Sequence, residues 1–111
     1  MPALARSVAV AILAVMFLTP GLGALAQEFG DAEAGRDLAR EVCATCHAVE
    51  DGDGAYPAAP AFRAIAEVPG MTSTAITVIL RTPHREMPDL ILTPEEIRDV
   101  GAYILTLKES R

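Results

Sequence analysis

Two cysteines three positions apart, followed at once by a histidine, set the terms on which this chain can fold. Cys43-Ala44-Thr45-Cys46-His47 holds both cysteines of the 111 residues. A pair that close cannot tie distant segments together, because a disulfide between them closes only a tiny loop. Yet the chain needs such a tie. Once an N-terminal leader is set aside, 85 residues remain, with no Trp, two Phe and two Tyr. Domains of this size bury little surface and often depend on a covalent or cofactor staple. A group bound at the cysteine pair would supply one.

The leader is residues 1–26. Arg6 is its only charge, Val8 to Leu18 is apolar, Thr19-Pro20-Gly21 breaks any helix, and Ala24-Leu25-Ala26 is a small-x-small cleavage pattern. The expectation is a signal peptide cleaved after Ala26, a mature domain over 27–111 and a periplasmic location. A retained membrane anchor is the alternative, but the 11 apolar residues before the break fall short of the ~20 that span a bilayer. On this reading the membrane is met only through an uncleaved leader or a membrane-bound partner. All 15 acidic residues and eight of the nine basic ones lie in 27–111, a net charge of about −7. That sign excludes nucleic-acid binding through phosphates. It favours solubility and steers toward partners with a basic docking surface.

Apolar spacing in the mature part is helical. Ala34, Leu38, Ala39 and Val42 predict a helix from Asp31 to Val42, with Asp31 and Glu33 at its positive end. Gly35 inside it costs about 1 kcal/mol against Ala and marks close approach by another backbone. Val49 to Pro60 reads as a loop, Phe62 to Glu67 as a short helix and Pro69-Gly70 as a turn. Thr72 or Ser73 caps a helix to about Arg81 with Ala75, Ile76, Ile79 and Leu80 apolar, and Thr82 to Leu92 is a loop. Thr93-Pro94-Glu95-Glu96 opens the last helix as a capping box, and Ile97, Val100, Gly101, Ile104 and Leu107 form its stripe. No stretch alternates long enough to be a strand. The two long loops are of the kind that wrap something or act at a site.

Cys-x-x-Cys-His is the signature of covalent haem attachment. On a helical turn, residues three apart share a face. Two thiols so placed can add to the two vinyl groups along one haem edge, and the next residue, His47, then lies under the iron. Rival readings have weaker support. A thioredoxin-like pair sits at a helix start after a strand, whereas a helix precedes this motif. A zinc site wants four ligands, and His84 is the single further histidine. For the sixth position, Met71 and Met87 are the methionines of the mature part. Met87 lies in a loop bounded by Pro83 and Pro88, and Pro88 holds the residue before it extended. Met71 follows Pro-Gly and reads as a packing contact at a helix cap; His84 is the alternative sixth ligand to Met87, though a loop histidine in this place reads first as a solvated or hydrogen-bonded side chain.

Taken together, these residues resemble a small bacterial class I cytochrome c over nearly all of Gln27 to Lys108. The resemblance is carried by Gly35 eight residues before Cys43, by the motif itself, by Ala59-Pro60-Ala61-Phe62, by Met87-Pro88 and by Ala102-Tyr103-Ile104 in the last helix. It implies an all-α cytochrome c fold, with three to four short helices around one haem and the N- and C-terminal helices crossing. Gly35 and Ala39 would meet Val100 and Tyr103 there; the family usually has an aromatic where Ala39 stands. It also implies haem c on Cys43 and Cys46, axial ligands His47 and Met87, and the Pro60 carbonyl as acceptor for the His47 ring, with Pro57 a competitor. The 40 residues from His47 to Met87 are short for the class, which implies trimmed loops and more exposed haem edge. The function so implied is single-electron transfer between redox proteins, without enzymatic turnover. Two other readings stay open: a haem enzyme or sensor with an open sixth position, and a subunit of a larger dehydrogenase or oxidase.

Overall fold

A computed structural model describes residues 29–84 and 86–109. The signal peptide over 1–26 and its cleavage after Ala26 lie outside the described residues. Four helices carry the described chain: α1 (Ala32–Val42), α2 (Phe62–Glu67), α3 (Ser73–Arg81) and α4 (Pro94–Glu109), with a 3₁₀ turn at Cys43–Thr45 directly after α1. No strand occurs among the described residues. The all-α expectation holds.

Three of the four helices, α1, α3 and α4, begin where a side chain can serve the free N–H groups of the first turn. Asp31 accepts from the N–H groups of Glu33 and Ala34 at 2.9 and 3.1 Å. Thr72, rather than Ser73, caps α3, its hydroxyl accepting from Ala75 N–H at 3.1 Å. At α4 the capping box closes in both directions: Glu96 N–H donates to Thr93 Oγ1 at 3.2 Å, and Thr93 N–H to Glu96 Oε2 at 2.7 Å.

Helices α1 and α4 cross at Gly35. A Cβ there would overlap the Asp99 carbonyl and stand 2.8 Å from Val100 N, so hydrogen alone fits between the two backbones. Ala39, one turn on, has no exposed surface, and Val100, Tyr103 and Ile104 are buried on α4. Asp31 N–H donates to Asp99 Oδ1 at 2.7 Å, tying the start of α1 to the same turn of α4. Ala34 departs from its predicted place on the apolar face and is exposed. The face is centred on Gly35 and Ala39, and the neighbouring position points about 100° away. Where the family usually has an aromatic, Ala39 lets the helices lie close.

The core continues through Phe62 and Ala66 of α2 and Ile76 of α3, all at most 4% exposed. Ile76 faces Gly101 of α4. Side-chain hydrogen bonds hold the loops to this frame. Tyr103 OH donates to the Val49 carbonyl at 2.7 Å. Arg63 donates to the Leu107 carbonyl at 2.7 Å and to Asp51 at 3.2 Å, and Arg40 pairs with Glu50 at 2.5 Å. The segment after His47 is thereby fastened to α1, α2 and α4. No helix among the described residues is long and apolar enough to cross a membrane.

Candidate functional site

The site is built outward from the 3₁₀ turn. Cys46 and His47 both donate their N–H groups to the Cys43 carbonyl, at 3.1 and 2.9 Å. In a 3₁₀ turn the side chains at i and i+3 eclipse, which puts Cys43 and Cys46 on one side. Cys43 is buried and Cys46 half-buried, and no disulfide joins them. Burial pushes the Cys43 thiol above its ordinary pKa because a thiolate there would lose its hydration.

His47 is held from two directions. Its Nδ1–H donates to the Pro60 carbonyl at 2.7 Å, and its ring packs against Phe62 at a centroid distance of 5.5 Å, tilted by 53°. A carbonyl can only accept, so Nδ1 carries the hydrogen and Nε2 is the nitrogen left for a metal. The acceptor is Pro60 and not its competitor Pro57. The Val49–Pro60 loop that delivers this carbonyl is folded back on the motif. Tyr56 N–H donates to the Cys46 carbonyl at 3.1 Å, and Phe62 N–H to the Ala48 carbonyl at 2.9 Å. At Gly54 the loop passes so close that a Cβ would lie 2.6 Å from both Ala48 N and the Cys46 carbonyl. Asp51-Gly52-Asp53-Gly54 reads in sequence only as a turn, and nothing local signals that Gly54 presses on residues 46–48.

Cys43, Cys46 and His47 open onto an apolar cleft of about 600 Å³, within the range of small-molecule and cofactor sites. Its other walls come from α2, α3, α4 and the loop before α4. Tyr56, Val68 and Ile79 line it with 42%, 47% and 41% of their surfaces exposed. Exposed apolar surface gathered around one concavity marks a binding site. It also explains Ile79, predicted among the apolar positions of α3, which faces the cleft rather than the core. A flat apolar group with two attachment points at the cysteines and one nitrogen ligand fits this arrangement. Among the described residues no cluster of three or more His, Cys, Asp or Glu could hold a bare metal ion.

Met87 lines the same cleft, half-buried. Glu86 before it has φ +65°, a left-handed conformation uncommon outside glycine. Tyr56 OH makes a long contact of 3.5 Å to Glu86 Oε2. Met71 also lines the cleft, but it packs on the core, with its N–H bonded to the Val68 carbonyl at 3.0 Å. His84 is exposed, donates Nδ1–H to the Thr82 carbonyl at 3.0 Å and touches the cleft. Met71 and His84 thus keep the packing and hydrogen-bonded roles expected of them. Sequence reasoning missed Gly54 and the Tyr56–Glu86 contact.

The family model described as cytochrome C oxidase, cbb3-type, subunit III matches residues 30–104. The chain belongs to the c-type cytochromes. It is 38% identical over 79 residues to cytochrome c-552 of Bradyrhizobium diazoefficiens, an alignment that covers 70% of this chain and 76% of that protein. No solved structure matches it. Membership explains the cleft: the chain carries covalently bound haem c and acts as a haem electron carrier. The helix crossing at Gly35, the cysteine turn and the apolar cleft are the parts of the molecule that suit it to that cofactor.

Proposed function

We propose that the protein is a periplasmic monohaem cytochrome c that passes single electrons between redox proteins, with its haem linked to Cys43 and Cys46 and its iron held by His47 and Met87. The observation that carries this reading is the bond from His47 Nδ1–H to the Pro60 carbonyl at the wall of an apolar cleft that Met87 also lines. When bound, haem supplies a ferric/ferrous couple. The chain tunes and positions it. The Pro60 carbonyl orients the imidazole with Nε2 free and raises its basicity. Phe62 keeps the ring from turning. The Met87 thioether is a soft donor that favours ferrous iron and raises the potential. Met87 is a better candidate than Met71 because its loop lies outside the core cluster, whereas Met71 is committed to packing. If His47 and Met87 both hold the iron, the chain would leave no open coordination position for a substrate, which favours a carrier over an enzyme or gas sensor.

Export is the other part of the proposal. It rests on the leader pattern of residues 1–26 and on the covalent attachment of haem, which occurs outside the cytoplasm in bacteria. Purified periplasmic protein should contain one haem, begin at Gln27 and show the red charge-transfer band of Met–iron ligation when ferric. Haem recovered only from the cytoplasm would sink the location; a ferric spectrum without that band would sink Met87.

A second reading has its own support. The matching family model is that of an oxidase subunit, so the domain could work as a docked electron-entry subunit. Co-purification with a membrane oxidase in mild detergent would favour this; a free monohaem protein in the soluble extract would favour the carrier.

A further inference from the structure

We propose that His84 is a reserve axial ligand, so that the sixth position of the iron is shared between the Met87 thioether and the His84 imidazole. The proposal rests on the reading of Met87 as the ligand and goes beyond it. Three observations converge. His84, Met87 and His47 line one apolar cleft. His84 and Met87 also line a second cavity of about 360 Å³, between the end of α3 and the start of α4, so a side chain leaving the haem cleft has space to enter. Finally, His84 is arranged as His47 is. Each donates Nδ1–H to a backbone carbonyl, Thr82 at 3.0 Å and Pro60 at 2.7 Å. In each, a carbonyl takes up Nδ1–H, which leaves Nε2 as the nitrogen available to a metal, as in ligating histidines whose other nitrogen is held by a carbonyl.

The chemistry gives the exchange a direction. Thioether sulfur is a soft ligand that favours ferrous iron, and imidazole nitrogen competes better for the harder ferric ion. Reduced protein keeps Met87; oxidised protein has a fraction with His84. One iron–sulfur bond breaks and one iron–nitrogen bond forms. His84 binds through Nε2 as the neutral imidazole; from an imidazolium the Nε2 proton passes to solvent as the bond forms, and no electron moves. The loop is suited to the exchange because it is not part of the core cluster. Its described tie to the Val49–Pro60 loop is the long Tyr56–Glu86 contact.

The test uses ferric holoprotein followed by electron paramagnetic resonance and visible absorption. Met87→Ala should stay low-spin with two nitrogen ligands, and Met87→Ala with His84→Ala should become high-spin. Imidazole added to the double variant should restore the low-spin signal, showing its site intact. A Met87→Ala protein already high-spin and matching the double variant would overturn the proposal while leaving Met87 as ligand. A second measurement needs no change at Met87: warming ferric wild-type protein should raise a second low-spin species that His84→Ala removes. No such species, or one that survives His84→Ala, overturns the proposal. A wild-type protein with no Met–iron band that becomes high-spin on His84→Ala would refute the Met87 reading and the reserve role together.

Discussion

The two segments that bring axial ligands to the cleft are built differently. Around His47 the chain is fastened at almost every step. The turn is closed on the Cys43 carbonyl, the ring is bonded to Pro60 and packed on Phe62, Gly54 presses the loop onto residues 46–48, and Tyr103 ties Val49 to α4. Around Met87 the described ties are the His84–Thr82 bond, local to the loop, and the 3.5 Å contact from Tyr56 to Glu86, itself in a left-handed conformation. The His47 segment is part of the fold. The Met87 segment is held by its prolines and, we infer, by the iron. Substitutions near His47 should therefore damage folding and haem retention, whereas those near Met87 should change the spectrum and potential of a protein that still folds.

The largest effects are expected on the His47 side. Gly35→Val would drive a side chain into the Asp99 carbonyl and part the two helices that frame the site. Little folded holoprotein should accumulate, measured as haem-stained protein per cell. Cys46→Ala should sharply lower covalently attached haem in the same assay. A middle effect is predicted for Phe62→Ala. Phe62 is 4% exposed, and truncating a buried Phe costs about 3–5 kcal/mol, a large part of the ~5–15 kcal/mol that holds a domain together. Denaturant unfolding of the holoprotein would read it. On the other side, Met87→Ala should leave haem attached and cost less stability than Phe62→Ala, while lowering the potential. A Met87→Ala protein less stable than Phe62→Ala would break the comparison.

The smallest effect is a pH dependence of the haem-free chain. The Cys43 thiol is raised by burial, so folding favours its protonated form. That contribution is fully present below the unfolded thiol pKa and is lost as pH rises through the raised folded value. Haem-free protein should thus lose some stability above the ordinary thiol range, and Cys43→Ala should remove that part of the loss. The net charge of about −7 carried by residues 27–111 adds a prediction about partners. If the partner is basic, association should slow as salt rises, and a rate flat with ionic strength would show docking without charge steering.

Where information is local, the sequence was legible. Thr93 and Glu96 three residues apart define the start of α4, and the resolved bonds are those of a capping box. Gly35 inside a helix announces a close approach, and Asp99 of α4 is the backbone it meets. Residue spacing alone did not choose between Pro57 and Pro60; the resemblance favoured Pro60, and the bond to His47 goes there. Ala34 shows the limit of apolar spacing, since two overlapping i, i+4 rows cross α1 and only contact with α4 selects Gly35 and Ala39. Gly54 against residues 46–48, and Tyr56 against Glu86 thirty positions on, depend on how the loops fold back, which no local pattern encodes.

The most direct test of the account is the ferric absorption spectrum of the purified, haem-loaded protein beside that of Met87→Ala, with haem content measured in both. The account predicts one haem in each, with the red Met–iron band present in the wild type and gone from the variant. A band missing from the wild type, or unchanged in the variant, would contradict it.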